Sequence, residues 1–161
     1  MNIRLAEQKD LSGILDIYNM GIIDRIATLE SEAKSIADMQ TWWDAHNSRY
    51  AILVAEKHGH VVGWASLNPY SHRCAYSGVA DLSIYVSRIH RGTGIGAVLL
   101  HQLDIEARRQ NFHKIVLFTF PQNIAGQRLY LKAGYKQVGI FEKQGVLDGN
   151  YMDVMAMEKI L

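Results

Sequence analysis

The stretch from residue 79 to residue 110 constrains the fold more than any other. Val79 to Val86 is a β-type run, V-A-D-L-S-I-Y-V. It passes through Arg88 to Arg91 into Gly92-Thr93-Gly94-Ile95-Gly96, and a helical pattern then continues to Gln110. A strand that hands over to a helix through glycines leaves the first helical amides without backbone acceptors and turns the positive end of the helix toward the loop. Glycines at 92, 94 and 96 let a phosphate approach with no Cβ in its way, and Arg91 adds a cation. The competing explanation is a helix packed so close to its neighbours that it needs small residues for steric reasons alone.

The segments on either side supply the rest of an α/β domain. Asn2 to Ala6 reads as a short strand. Asp10, Leu11, Ile14, Leu15, Ile17 and Tyr18 recur at helical spacing toward Ile26, and a second helix is predicted over Ser35 to Asn47, opened by a capping box of Ser35 and Asp38. Trp42 and Trp43 lie on it as core or subunit-interface aromatics. Ala51 to Lys57 and Val61 to Leu67 form a hairpin about His58-Gly59-His60. Ile115 to Phe120 is a buried strand by composition, Asn123 to Ala133 a helix closed by Gly134, and Tyr135 to Glu142 with Tyr151 to Met157 a final strand pair. The order β α α β β β α β α β β predicts one domain over residues 1–161, with antiparallel hairpins at the front and a βαβ crossover in the middle.

Charge and composition narrow the ligand of the glycine loop. Lys and Arg total 17 against 16 Asp and Glu, so the chain has no long-range field for gripping a polyanion, and a small molecule is a better partner than nucleic acid. Cys74 is the one cysteine and seven histidines are scattered, which gives neither a disulfide nor metal-ligand spacing. Met1 to Asp10 carries charges in place of a signal-peptide core and no apolar run nears the roughly 20 residues of a membrane span, so a cytoplasmic chain is expected. Gly92, Gly94 and Ala97 satisfy the dinucleotide pattern G-x-G-x-x-A, but no acidic residue follows the next strand to hold a ribose, and the Gly-Lys-Ser/Thr of an ATP loop is missing. No G-x-S-x-G elbow is present, and Cys74 has only nearby His72 as a partner for covalent catalysis.

Two signatures carry a resemblance. R-G-T-G-I-G at 91 to 96 resembles the acetyl-CoA signature Q/R-x-x-G-x-G/A of the Gcn5-related N-acetyltransferase (GNAT) superfamily. Asn123 to Tyr135, with L-Y-x-x-x-G-Y, is similar to that superfamily's second signature. H-R-x-A-Y from His72 to Tyr76, D-L-S-I-Y-V-S from Asp81 to Ser87, and the segment from Gly149 to Met155 further resemble the phosphinothricin and methionine sulfoximine acetyltransferases. The resemblance spans nearly the whole chain. It implies a mostly antiparallel sheet flanked by helices, acetyl-CoA as cosubstrate without a metal, a small amino-acid-like acceptor whose amino group is acetylated directly, and a homodimer.

The chemistry asks for a proton acceptor near the amine, donors to the thioester carbonyl and a donor to the departing sulfur. Asp81, Ser83 and Tyr85 share one face of their strand, which is expected to line the cleft. The resemblance places Asp81 where the subfamily carries a glutamate base; being one methylene shorter it would act more readily through water, and as a plain strand-entry aspartate it would only hydrogen-bond. By the same resemblance the amides around Ile84, Tyr85 and Val86 hold the carbonyl where the strand bulges and splays, and Tyr130 protonates the sulfur. The loop Arg91, Gly92, Thr93, Gly94, Ile95 and Gly96 takes the diphosphate, and Asn123 bonds the pantetheine arm. Tyr130 also suits a core aromatic, and Asn123 a helix N-cap. Arg73, Tyr76 and Tyr85 match acceptor-binding positions, an arginine fork suiting a carboxylate, and Ala27-Thr28-Leu29-Glu30 resembles a T-F-E stretch near the cleft with Leu in place of Phe. Alternatives remain: another small amine, a protein N-terminus, or a module that binds coenzyme A without turnover.

Overall fold

A computed structural model describes residues 1–161. Seven strands form one sheet in the order β1-β2-β3-β4-β5-β7-β6. Along the chain they are β1 (Asn2–Leu5), β2 (Ile52–Lys57), β3 (His60–Pro69), β4 (Val79–Val86), β5 (Lys114–Thr119), β6 (Lys136–Leu147) and β7 (Asn150–Ile160). Four α-helices accompany them: α1 (Leu11–Asp24), α2 (Ile36–Ala45), α3 (Ile95–Arg109) and α4 (Ile124–Lys132). Each neighbouring pair is antiparallel except β4 with β5: the α3 crossover sets its two strands side by side, whereas the α4 crossover from β5 to β6 leaves β7 between them.

Local chemistry accounts for the element boundaries. Ser35 and Asp38 form the predicted capping box of α2, and α1 stops at Asp24 because Arg25 turns left-handed at φ 58°. His58 and Gly59, both at positive φ, close the β2–β3 hairpin, while Gly134 at φ 93° ends the helical region after α4. The last two strands run well beyond the expected Tyr135–Glu142 and Tyr151–Met157. Asp148 and Gly149 make a tight turn at positive φ, and a register shift between Phe141 and Gly145, with Lys143 at φ 50°, lets the ladder continue through a polar stretch that carries no β signal.

The sheet buries both faces. Leu53, Ala65, Leu67, Ala80 and Leu82 pack on Leu99, Leu100 and Leu103 of α3, with Tyr130 of α4 in the same cluster. On the other face Ile52, Val54 and Trp64 meet Leu11, Ile14 and Ile17 of α1 and Met39 of α2. Trp42 packs edge-on against Trp64, so it belongs to this core. Alternation along β2 assigns Leu53 and Ala55 to the α3 layer and Ile52 and Val54 to the α1–α2 layer, giving three layers, α/β/α. No helix is long and apolar enough to cross a membrane.

Candidate active site

The site arises where β4 parts from β5. Their parallel pairing covers Val79 to Asp81 against Lys114 to Val116 and goes no further, so the second half of β4 has a partner only on its β3 side. The Ser87 amide donates to the Val62 carbonyl of β3. Amides alternate along a strand, so those of Ile84 and Val86 face away from β3, into the opening. The opening needs no bulge: the register of β4 on β3 is unbroken from Gly63–Val86 to Pro69–Ala80, and the bulge implied for this strand is absent. Divergence from β5 alone frees the amides.

A cleft of about 220 Å³ occupies this opening. Asp81, Ser83, Ile84 and Tyr85 line it from β4, Thr119 from β5, Asn123 and Tyr130 from the α4 region, and Ala27 to Leu29 from the loop after α1. The polar face of β4, Asp81 with Ser83 and Tyr85, lines it as the alternation predicts. Ile84 joins because the strand edge, rather than one face, is what opens. A second cavity of about 430 Å³ lies beside the first, walled by Pro69, Tyr70, Ser71 and Tyr76. Asp81 and Phe118 line both.

Burial sets the electrostatics. Loss of water pushes the Asp81 carboxyl up from 3.8 to about 7, against hydrogen bonds from Asn68 and the Leu82 amide that favour its charged form. The Tyr130 phenol is pushed up to about 12 by burial and by the Asp81 charge, so it is a neutral donor at neutral pH. Tyr85 is raised further, by burial first and then by the neighbouring phenols, within an aromatic stack whose ring centroids lie 5.1 Å from both Tyr18 and Trp64. Gly21 of α1 is small because a Cβ there would come within 2.8 Å of the Tyr85 ring.

At the glycine loop, none of the amides from Gly92 to Ala97 finds an acceptor within the chain. Gly92 (φ 75°) and Gly94 (φ 89°) face open space, and their left-handed backbone aims successive amides outward. Gly96 is different. A Cβ on it would lie 2.9 Å from Leu129 of α4, so its size serves helix packing. The Arg91 side chain is anchored at both ends of its guanidinium, Nε donating to the Val86 carbonyl (3.2 Å) and Nη1 pairing with Asp24 (2.7 Å). Arg88 holds the same Asp24 and is the larger reason that this carboxyl is kept low. Two arginines on one carboxylate leave the loop net positive.

The remaining expected residues divide. Asn123 caps α4, its Oδ1 accepting from the Gly126 amide while its Nδ2 donates to Thr119, so the structural role is realised. Tyr76 lines the second cavity. Arg73 is exposed and its side chain pairs with nothing, with Ser71 and Tyr76 of the same loop on the cavity wall. Glu30 pairs with Lys34 (3.0 Å) at the surface and lines neither cavity, although the residues just before it do. Asn68, which bridges Asp81 and Ser83, carried no sequence signal, because its role depends on the β3–β4 register.

Residues 17–135 match the model of the acetyltransferase (GNAT) family. The chain is 33% identical over 159 residues to an L-methionine sulfoximine/L-methionine sulfone acetyltransferase of Pseudomonas paraeruginosa, covering 98% of this chain and 92% of that one. Among solved structures it superposes with a TM-score of 0.96 on a ribosomal-protein-alanine N-acetyltransferase from Brucella melitensis, at 31% identity and full coverage of both chains. It superposes with a TM-score of 0.93 on a phosphinothricin acetyltransferase from Sinorhizobium meliloti in complex with acetyl-CoA, at 27% identity, covering 99% of this chain and 88% of that one.

Proposed function

Because the chain belongs to the acetyltransferase (GNAT) family, we propose that it moves the acetyl group of acetyl-CoA directly onto the amino group of a small amino-acid-like acceptor of the phosphinothricin or methionine sulfoximine kind. One observation carries the reading: a part-buried carboxyl, Asp81, lines both of two adjoining cavities, one of which runs along unpaired β4 amides. A thioester held in the first and an amine entering from the second would meet at that carboxyl.

Acetyl-CoA supplies an acyl group already activated as a thioester. The bare amides of Gly92 to Ala97, with the net positive charge of Arg88 and Arg91, suit a diphosphate at the start of α3. Through its second Nδ2 hydrogen Asn123 would reach the pantetheine arm while still capping α4. Ile84 and Val86 present N–H groups toward a carbonyl oxygen in the opening, donors already oriented by the strand. Asp81, with a pKa near the working pH, accepts the ammonium proton directly or through one water, since a base is most effective when its pKa matches its medium. Tyr130 keeps its proton at neutral pH and hands it to the sulfur as the C–S bond breaks, and the second hydrogen that the nitrogen sheds once the N–C bond has formed returns to the phenolate.

On the acceptor side Tyr76 walls the second cavity, Tyr85 closes the adjoining first one, and the unpaired Arg73 takes the acceptor carboxylate; Glu30, paired with Lys34, is left without a role in binding. The protein would act in the cytoplasm as a homodimer. The similarity to the ribosomal-protein-alanine enzyme favours a second reading, a peptide amino terminus as acceptor. Purified protein is to be mixed with acetyl-CoA and a panel of L-amino acids, phosphinothricin, methionine sulfoximine and an alanine-initiated peptide, with release of free thiol followed. Turnover with the amino-acid analogues supports the first reading, and turnover with the peptide alone supports the second. Thiol release no faster than background across the panel leaves only a binding module.

A further inference from the structure

Asn68 is a side-chain amide with every hydrogen-bonding position filled. Its Nδ2 donates to Asp81 Oδ2 (3.3 Å) and to Ser83 Oγ (3.1 Å), while Oδ1 accepts from Ser66 Oγ (2.9 Å) and faces His46 Nε2 (3.1 Å). The arrangement follows from register. Asn68 lies opposite Asp81 and Ser66 opposite Ser83, so four polar side chains stand together on one face of the β3–β4 ladder. That face is otherwise apolar, with Trp64 and Val54 in its core.

Which end of the amide faces which partner is decided by chemistry. An ionised carboxylate can only accept, so Nδ2 lies toward Asp81 and Oδ1 toward His46 Nε2; because the Trp42 carbonyl beside Nδ1 is also an acceptor, both ring contacts are hydrogen bonds when the ring carries a hydrogen on each nitrogen. His46 is itself held: its ring lies 4.6 Å from that of Trp42, and Nδ1 sits 2.9 Å from the Trp42 carbonyl. A histidine at the end of α2 thus abuts an amide on β3, and that amide in turn holds a carboxyl on β4.

We propose that Asn68, locked by His46 and Ser66, is the positioning residue for Asp81, fixing the direction of its carboxyl and favouring its charged form at the junction of the two cavities. This rests on Asp81 being the base of the acetyl transfer proposed above. Burial alone would keep the carboxyl protonated and useless as a proton acceptor at neutral pH, and the hydrogen bonds from Asn68 and the Leu82 amide are what oppose it. The other titratable groups near Asp81 are the phenols Tyr85 of β4 and Tyr130 of α4, with His46 of α2 beyond the amide. No lysine or arginine contributes to that balance.

The test uses the intact protein and two readouts: steady-state kinetics across pH, and the 13C signal of the Asp81 side-chain carboxyl titrated by NMR. Asn68→Leu should lower kcat about 10- to 100-fold, as expected for loss of hydrogen bonds to a charged group, with KM for acetyl-CoA changed less than about twofold. It should also move the Asp81 titration and the acidic limb of kcat/KM upward by about one pH unit. His46→Leu should do the same to a smaller extent, and His46→Gln, whose amide can still donate, should restore most of the loss. The NMR titration is independent of turnover. If the wild-type protein fails to acetylate anything, the functional reading falls while the positioning claim is still decided by whether the carboxyl signal moves. If Asn68→Leu does not fold, His46→Leu decides instead. An Asp81 titration that stays where it is in a folded variant overturns the proposal.

Discussion

At the scale of single residues the account depends on Asp81, a carboxyl whose burial is unfavourable for the fold and useful for the chemistry. Asp81→Asn should lower kcat by about 10²- to 10⁴-fold, the usual contribution of a positioned general base, while acetyl-CoA binding measured by calorimetry is unchanged. The same substitution should raise thermal stability. A carboxyl raised from 3.8 to about 7 on folding binds protons more tightly in the native than in the unfolded chain, so its contribution to stability falls as pH rises through that window. The gain of Asp81→Asn over wild type should therefore be absent near pH 4, grow to about pH 7 and stay level above, with ~4 kcal/mol as its upper bound. Arg73→Ala should leave the fold and kcat intact and raise KM for a carboxylate-bearing acceptor about tenfold, because the side chain holds nothing else together. Asp81 and Tyr130 were readable from their motifs. Asn68 and His46 were not, since residues 46, 68 and 81 meet only once a helix end and two strands are in register, and no spacing along the chain encodes that meeting.

At the scale of elements, the entry to α3 and the root of β1 make separate demands. Gly94 precedes α3 in a left-handed conformation at φ 89° with open space around it, so Gly94→Ala meets no clash and acts through the backbone alone. It should raise KM for acetyl-CoA several-fold and lower stability by about 1 kcal/mol. Gly96→Ala should instead show itself in stability, because its methyl meets Leu129. Arg4 of β1 binds the buried Asp10 through two hydrogen bonds and Glu56 of β2 through two more, joining the first strand, its neighbour and the start of α1. Arg4 holds Asp10 well below the usual carboxylate range, so this contribution is complete at neutral pH and is lost as acid protonates the carboxyl. Arg4→Met should cost about 1–3 kcal/mol in urea unfolding at pH 7, between the values for exposed and buried pairs, and less near pH 3. Caps and turns were legible because their signals are local: Ser35 with Asp38, His58 with Gly59, and Gly134. The extension of β6 and β7 was not, because Lys143, Gln144 and Gly145 pair through a register shift and Asp148-Gly149 reads as a loop until the turn is seen.

At the scale of the molecule, the open edge of the sheet calls for a cover. β6 is an edge strand, and Val138 (59% exposed), Phe141 (49%) and Val146 (60%) stand on it with Tyr151 (69%) of β7. Apolar side chains along an unpaired edge are a liability in a free monomer. They support the proposed homodimer, and light scattering behind size exclusion should give twice the 18.2 kDa chain mass. Val138→Lys together with Phe141→Lys should shift the protein to monomer, and a wild-type chain already monomeric at micromolar concentration would remove the dimer from the account. The α/β class, the element order and the β2–β3 hairpin partnership were evident from periodicity and turn residues. The parting of β4 from β5 was implied only by resemblance, since the point where two strands diverge is a property of the assembled sheet and leaves no trace in local composition.

In the proposed reaction coenzyme A enters at this parting and is held chiefly by backbone amides, with Arg88, Arg91 and Asn123 assisting. Amide NMR of 15N-labelled protein titrated with acetyl-CoA tests it at the atoms concerned. The account predicts that the largest shifts fall on Ile84, Val86 and the run from Gly92 to Ala97, the amides without acceptors in the chain. Saturable binding that leaves those signals in place and moves others would contradict it.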